Sequence, residues 1–230
     1  MEKKKVAIMF SGGKDSCQAV VYALRQGWDV KALIAVKPKS TEAYLYHYPM
    51  VEWTRLSAEA LRIPLILINS KEIGPEKEAK ELEETFSKLN VDAVLLGGVG
   101  LQKTQIREIR KIAEKYKMQV LIPYENYTSE QLLKEEINAG LDIVITDVAA
   151  DGLGPEWIGK KLDKKTFLEF KKLSERFGFD ILGEGGYFNT FVVNGPKFQK
   201  RIEFLDTAKI WDSKTESGYL EVKDAILVSK

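Results

Sequence analysis

The residues best placed to do chemistry come early. Ser11-Gly12-Gly13-Lys14-Asp15-Ser16 follows the apolar run Val6–Phe10 and precedes a segment in which Cys17, Val20, Val21 and Leu24 recur at helical spacing. Two glycines let backbone N–H groups approach phosphate oxygens with no Cβ in the way. A helix starting there adds unpaired donors and a favourable dipole. Ser11 and Ser16 offer hydroxyls, and Lys14 offers a cation. The carboxylate of Asp15 suits an anion site once a Mg²⁺ ion stands between it and the phosphates. The string lacks the upstream glycine of a Walker A loop and the third glycine of a dinucleotide fingerprint. A Gly-Gly pair alone is usually only a tight strand-to-helix turn. The full string after a buried strand reads as a phosphate site.

Other candidates are more ambiguous. Glu184, within Gly183-Glu184-Gly185-Gly186, is either a catalytic carboxylate or a group capping a turn. Thr190 adds a hydroxyl nearby in sequence or simply begins a strand. His47, the one histidine, is a nucleotide or substrate contact or an ordinary loop residue. A multi-His metal site is excluded, and the single Cys17 excludes an internal disulfide and a multi-Cys zinc site. Cys17 falls on the apolar helix face and is expected in the core. Asp147 and Asp151 face an acceptor or solvate a turn, with the turn favoured. Trp53 and Trp157 are expected in the core.

These residues need a scaffold, and the pattern supplies one. Apolar runs at Val30–Val36, Leu65–Ile68, Ala93–Leu96 and Val120–Ile122 alternate with amphipathic stretches. Among these, Ala79, Leu82, Phe86 and Leu89 share one helix face, and Ile106, Ile109, Ala113 and Tyr116 another. Alternating strands and helices, with strands apolar on both faces, predict an α/β fold with a parallel sheet covered on both sides. Ligands in such sheets bind beyond the carboxyl ends of the strands, where the Ser11 loop lies. Pro123 marks the expected boundary between a domain at 1–122 and a smaller α+β domain at 123–230. The second should hold helices at Ser129–Ala139 and Lys164–Phe177, strands at Ile143–Ile145 and Thr190–Val193, and a closing hairpin of Ile202–Trp211 and Gly218–Val228. The segment 37–50 is the longest candidate loop.

With 230 residues the chain can bury a substantial core without staples. Its net charge of +1 gives no global field toward nucleic acid or an anionic membrane. No apolar run is long enough to span a bilayer, and the basic start lacks the apolar stretch of a signal peptide. The expected location is the cytoplasm.

Ser-Gly-Gly-Lys-Asp-Ser resembles the signature of the N-type ATP pyrophosphatases, the PP-loop superfamily. The resemblance implies a HUP-like (Rossmann-like) fold and cleavage of ATP to AMP and pyrophosphate. Further segments resemble the diphthine–ammonia ligase branch: Tyr46-His47, Glu52-Trp53-Thr54, the run Ala58–Leu65, Gly97-Gly98-Val99-Gly100 before Gln105, the stretch Trp157–Asp163, and Gly183-Glu184-Gly185-Gly186 before Thr190-Phe191. Tyr187, Phe188 and Asn189 stand where that branch usually has Glu, Tyr and Glu, so two carboxylates are missing.

The implied reaction adenylates the carboxylate of diphthine on elongation factor 2 and replaces AMP with ammonia. It implies Lys14, Asp15 and Glu184 as catalytic, with Glu184 taking a proton from ammonium. It implies Ser11 to Ser16, Gly97, Gly98 and Gln105 as the ATP site, and His47, Gly185, Gly186 and Thr190 toward the acceptor. Asp15 would face Mg²⁺. The implied partners are elongation factor 2 and ammonium, with no membrane or nucleic acid, and a homo-oligomer is left open. Two other readings stand beside it: a tRNA-modifying PP-loop enzyme, and a HUP-type module that senses ATP or AMP without turnover.

Overall fold

The computed structural model describes residues 2–38, 50–99 and 103–230. His47 lies outside the described residues, as does most of the 37–50 segment. The first strand shows why the chain folds as it does. In β1 (Lys5–Met9), Val6 and Ile8 point into one core cluster and Ala7 into another. A strand buried on both faces must lie inside a sheet with helices on either side.

That sheet is parallel and ordered β3-β2-β1-β4-β5, with β2 (Asp29–Lys37), β3 (Leu65–Asn69), β4 (Ala93–Leu95) and β5 (Gln119–Leu121). One face is covered by α1 (Lys14–Arg25) and α2 (Thr54–Leu61), through Cys17, Val20, Val21, Leu56 and Leu61. The other is covered by α3 (Pro75–Lys80), α4 (Leu82–Lys88) and α5 (Lys103–Lys115), where Leu82, Phe86, Ile109 and Ala113 meet Ala7, Ile34 and Val94. The expected single helix through Ala79 and Phe86 is thus two, broken at Glu81. The strand order reverses between β1 and β4, and the crevice beyond their carboxyl ends is the place for a ligand.

A second sheet is antiparallel. Its middle strand, β6 (Asp142–Val148), pairs with β8 (Phe188–Asn194) on one side. On the other side it pairs with the short β7 (Lys161–Leu162) and the start of β10 (Ser217–Val228). β10 forms the closing hairpin with β9 (Arg201–Asp212), as the sequence suggested. α6 (Ser129–Asn138) begins at a capping box, with Thr128 and Gln131 satisfying each other's backbone N–H. α7 is Phe167–Phe177; it starts later than Lys164 because the Asp163 carboxylate accepts from the Lys165 and Thr166 N–H groups and holds a turn there. Phe170 stacks edge-on with Trp157, Phe179 and Phe188.

The two sheets share one core. A single buried cluster runs from Val6, Cys17 and Val20 through Leu133 and Ile145 to Phe191. This matters for function, because it docks β8 of the second sheet against the loop that follows β1.

Candidate active site

α1 starts without a side-chain cap: Gly13 is its N-cap residue and makes no side-chain bond. Its first N–H groups therefore have no N-cap side chain of their own to satisfy them. Gly12 has φ 81°, a left-handed conformation that glycine adopts at little cost, and a Cβ there would lie 2.5 Å from the Phe191 ring. The Gly12 carbonyl accepts from Val192 N–H at 2.9 Å, which ties the loop to β8.

The loop's donors are held by weak, exchangeable partners. Ser11 N–H donates to Ser16 Oγ, Gly13 N–H to Ser11 Oγ and Lys14 N–H to Thr190 Oγ1, each at 3.3 Å. Gly97, after β4, packs against the start of α1; a Cβ on it would lie 2.4 Å from the Asp15 carbonyl oxygen. Gly98 follows with φ 89°.

Beneath the loop lies a buried charge cluster. Lys14 is 3% exposed, bonds Asp15 Oδ2 at 2.8 Å and lies 5.7 Å from the Phe188 ring centre. Burial works against its charge, but Asp15, Glu136 and Glu184 outweigh that and raise its pKa, so it stays an ammonium. Glu136, from the middle of α6, is fully buried; among the described residues neither of its oxygens nor Asp15 Oδ1 makes a well-formed hydrogen bond, although the two carboxyls lie close enough to interact. Burial first, then the charge of Asp15, hold the Glu136 carboxyl well above the usual range, with Lys14 offsetting only part.

A buried carboxyl with no partner is costly, and such groups concentrate where chemistry needs them. Asp15 Oδ1 and the two Glu136 oxygens are unpartnered among the described residues, and Glu136 would have to give up its proton for the pair to hold a hard divalent cation such as Mg²⁺.

Glu136 carries a testable consequence for stability. The folded protein keeps a proton that the unfolded chain releases once pH passes the usual carboxyl value of 4.5. Stability therefore falls as pH rises from there toward the raised pKa. Glu136→Gln removes this titration, so its stability relative to wild type should grow with pH. Urea unfolding at about pH 5 and about pH 9 checks it, and equal slopes for both proteins would refute it.

A cleft of about 110 Å³ joins the loop to the second sheet. Its walls are Ser11, Gly13, Lys14 and Asp15 on one side, and Thr146, Leu182, Gly183, Phe188, Asn189 and Thr190 on the other, with Met50 at the rim. The Glu184 turn is shaped by Asp180, whose Oδ1 accepts from Leu182 and Glu184 N–H, and by positive φ at Gly183, Gly185 and Gly186. Glu184 reaches Lys14 and Glu136 electrostatically.

The structure thus brings Ser11 to Ser16, Gly97, Glu184 and Thr190 together. Gly185 and Gly186 are exposed and do not line the cleft. Gln105 lies on α5. Cys17 is buried in the core, and burial keeps its thiol protonated. Asp147 is on strand β6 and not in a turn; Asn189 donates to it at 2.7 Å, and burial lifts its pKa to about 6. Asp151 is exposed at the turn that follows.

A glycine turn after β1, at the reversal point of a 3-2-1-4-5 parallel sheet, defines an α/β protein whose ligand site lies at that strand-to-helix turn. Residues 4–120 match the diphthamide synthase N-terminal domain and residues 128–228 the diphthamide synthase C-terminal domain. The chain belongs to the diphthamide synthase family. A human diphthine–ammonia ligase is 27% identical over 90% of this chain and 84% of that protein. The mouse ligase is 29% identical over 86% and 82%. The fission yeast ligase is 26% identical over 96% of this chain, which spans 39% of that longer protein. Among solved structures, a predicted subunit of tRNA methyltransferase from Methanocaldococcus jannaschii aligns over 84% of this chain and 98% of its own length. That alignment has TM-score 0.45 and 14% identity, too distant to carry an argument.

No described helix is long and apolar enough to cross a membrane.

Proposed function

We propose that this chain is an ATP-dependent diphthine–ammonia ligase acting on elongation factor 2. The observation that carries the reading is the junction itself. The uncapped helix and the Lys14 ammonium sit on one wall of a cleft whose other wall comes from the second sheet. A phosphate site and an acceptor site share one opening. The matched relatives favour this reading over the tRNA-modifying and sensing alternatives.

In the proposed reaction the loop N–H groups and Lys14 hold the terminal phosphates of ATP. An oxygen of the diphthine carboxylate attacks the α-phosphorus, and pyrophosphate leaves in line. The carboxylate is then an acyl adenylate, whose carbonyl carbon ammonia attacks while AMP departs. Lys14 and the fixed N–H dipoles stabilise charge building on the leaving phosphates, with no reorganisation needed at that moment. Ser11, Ser16 and Thr190 hydroxyls give up their present N–H donors to phosphate. Asp15 and Glu136 would hold Mg²⁺, which neutralises phosphate charge when bound. Glu184 takes the proton that ammonium must lose before attack. Gly98 and Gln105 belong to the nucleotide side and His47 to the acceptor side. Gly185 and Gly186 shape the Glu184 turn. We place the division between the ATP-binding and acceptor domains at Pro123 and the reaction in the cytoplasm.

The test uses purified protein with Mg²⁺-ATP, ammonium and elongation factor 2 carrying diphthine. Turnover of ATP to AMP and pyrophosphate should need both factor and ammonium, with the factor alone releasing at most about one pyrophosphate per site. ADP as the product, or AMP release indifferent to the factor, would contradict the proposal.

A further inference from the structure

The cleft wall opposite the loop holds a polar pair that the phosphate chemistry does not use. Thr146 and Asn189 line the cleft, and Asp147 stands across the β6–β8 ladder from Asn189. Regular alternation would send neighbouring side chains to opposite faces of the sheet. The register shifts between Ile145 and Asp147, however, and the Thr146 hydroxyl donates to Asp147 Oδ2 at 3.3 Å. Asn189 Nδ2 donates to Asp147 Oδ1 at 2.7 Å.

An ionised carboxylate can only accept hydrogen bonds. It therefore dictates which end of the Asn189 carboxamide faces it. The NH₂ group must point to Asp147, and Oδ1 must point away from it. Asn189 lines the cleft, and its Oδ1 accepts no hydrogen bond from the described residues. The cleft thus receives a neutral acceptor whose direction is set from behind.

A neutral acceptor has a specific use beside Lys14. A carboxylate at this place would bind ammonium through its charge and so oppose its deprotonation. A carbonyl oxygen accepts an N–H without favouring the charged form to the same degree. We propose that Asn189 receives the nitrogen nucleophile, its Oδ1 accepting an N–H of ammonia at the cleft wall, and that Asp147 is the positioning residue that holds the carboxamide in that orientation. The inference rests on the ligase reading.

Steady-state kinetics with ammonium chloride as the varied substrate, at saturating ATP and diphthine-bearing factor, test it. Asn189→Ala should raise the KM for ammonium by about tenfold, because a site built to accept an N–H loses its acceptor. The KM for ATP should stay within about twofold of wild type. Asp147→Asn is isosteric and lets the amide turn over, so it should raise the ammonium KM by about threefold. The double variant should be no worse than Asn189→Ala alone, because Asp147 acts through Asn189. An unchanged ammonium KM in either single variant overturns the proposal. So does an equal rise in the KM for ATP, or losses that add in the double variant. A wild-type protein without ammonium-dependent AMP formation overturns the ligase reading itself, and this inference with it, so the two failures are told apart by the wild-type control.

Discussion

Lys14→Met should abolish factor-dependent AMP formation, with a loss of about a thousandfold or more. The ammonium stands under the phosphate turn, 2.8 Å from Asp15 and almost wholly buried. Removing it takes away the cation that faces the carboxyls of Asp15 and Glu136. The fold should suffer as well, because a buried pair broken from one side costs about 3–5 kcal/mol. Stability and chemistry must therefore be separated. Lys14→Arg keeps the charge in a larger, planar group that the slot was not shaped for. It should retain more of the fold than Lys14→Met and still lose the rate. Adding Glu136→Gln to Lys14→Met should recover part of the lost stability, since one uncompensated carboxyl is gone. Thermal melts and single-turnover AMP release report the two effects separately. A Lys14→Met protein that melts normally and keeps its rate would remove Lys14 from the site.

Gly97→Ala should be nearly as damaging, though it changes no charged group. Its added methyl would lie 2.4 Å from the Asp15 carbonyl oxygen and 2.9 Å from the Ser16 nitrogen. Both atoms are backbone at the start of α1, so no side chain can rotate out of the way. Forcing a methyl into such a contact costs about 1–3 kcal/mol. The helix start must shift from β4, and the phosphate donors shift with it. A displacement of about 1 Å in a positioning element can reduce rate by about a hundredfold. ATP affinity by calorimetry and the melting temperature should both fall. A variant with unchanged ATP affinity would show that Gly97 does not set the loop's position.

The legibility of this site in the sequence depended on how local each feature is. The Ser11–Ser16 string could be read because the glycines, the hydroxyls and the helix start are contiguous, and the strand before it is apolar on both faces. The alternation of strands and helices likewise pointed to the parallel sheet. Glu136 gave no such signal. It sits among Lys134, Glu135 and Asn138 on α6, where a charged residue is expected to face solvent. Only packing of α6 against α1 turns it under the loop. Asp147 misled for a related reason: Asp and Gly nearby read as a turn, while β6 in fact continues to Val148 because β8 and β10 pair with both of its sides. The carboxylates missing at Tyr187 and Asn189 looked like a pure loss in one dimension. Across the ladder, Asn189 pairs with a carboxylate on the neighbouring strand. Register of that kind joins residues 42 positions apart and leaves no trace in local spacing.

The most direct measurement of the central claim follows the nitrogen. Isotope-labelled ammonium would be supplied with Mg²⁺-ATP and elongation factor 2 bearing diphthine, and the modified histidine would be examined by mass spectrometry. The account predicts one labelled nitrogen in an amide at the former carboxylate, formed in step with AMP. AMP formation that leaves the factor's carboxylate unlabelled and unchanged would contradict it.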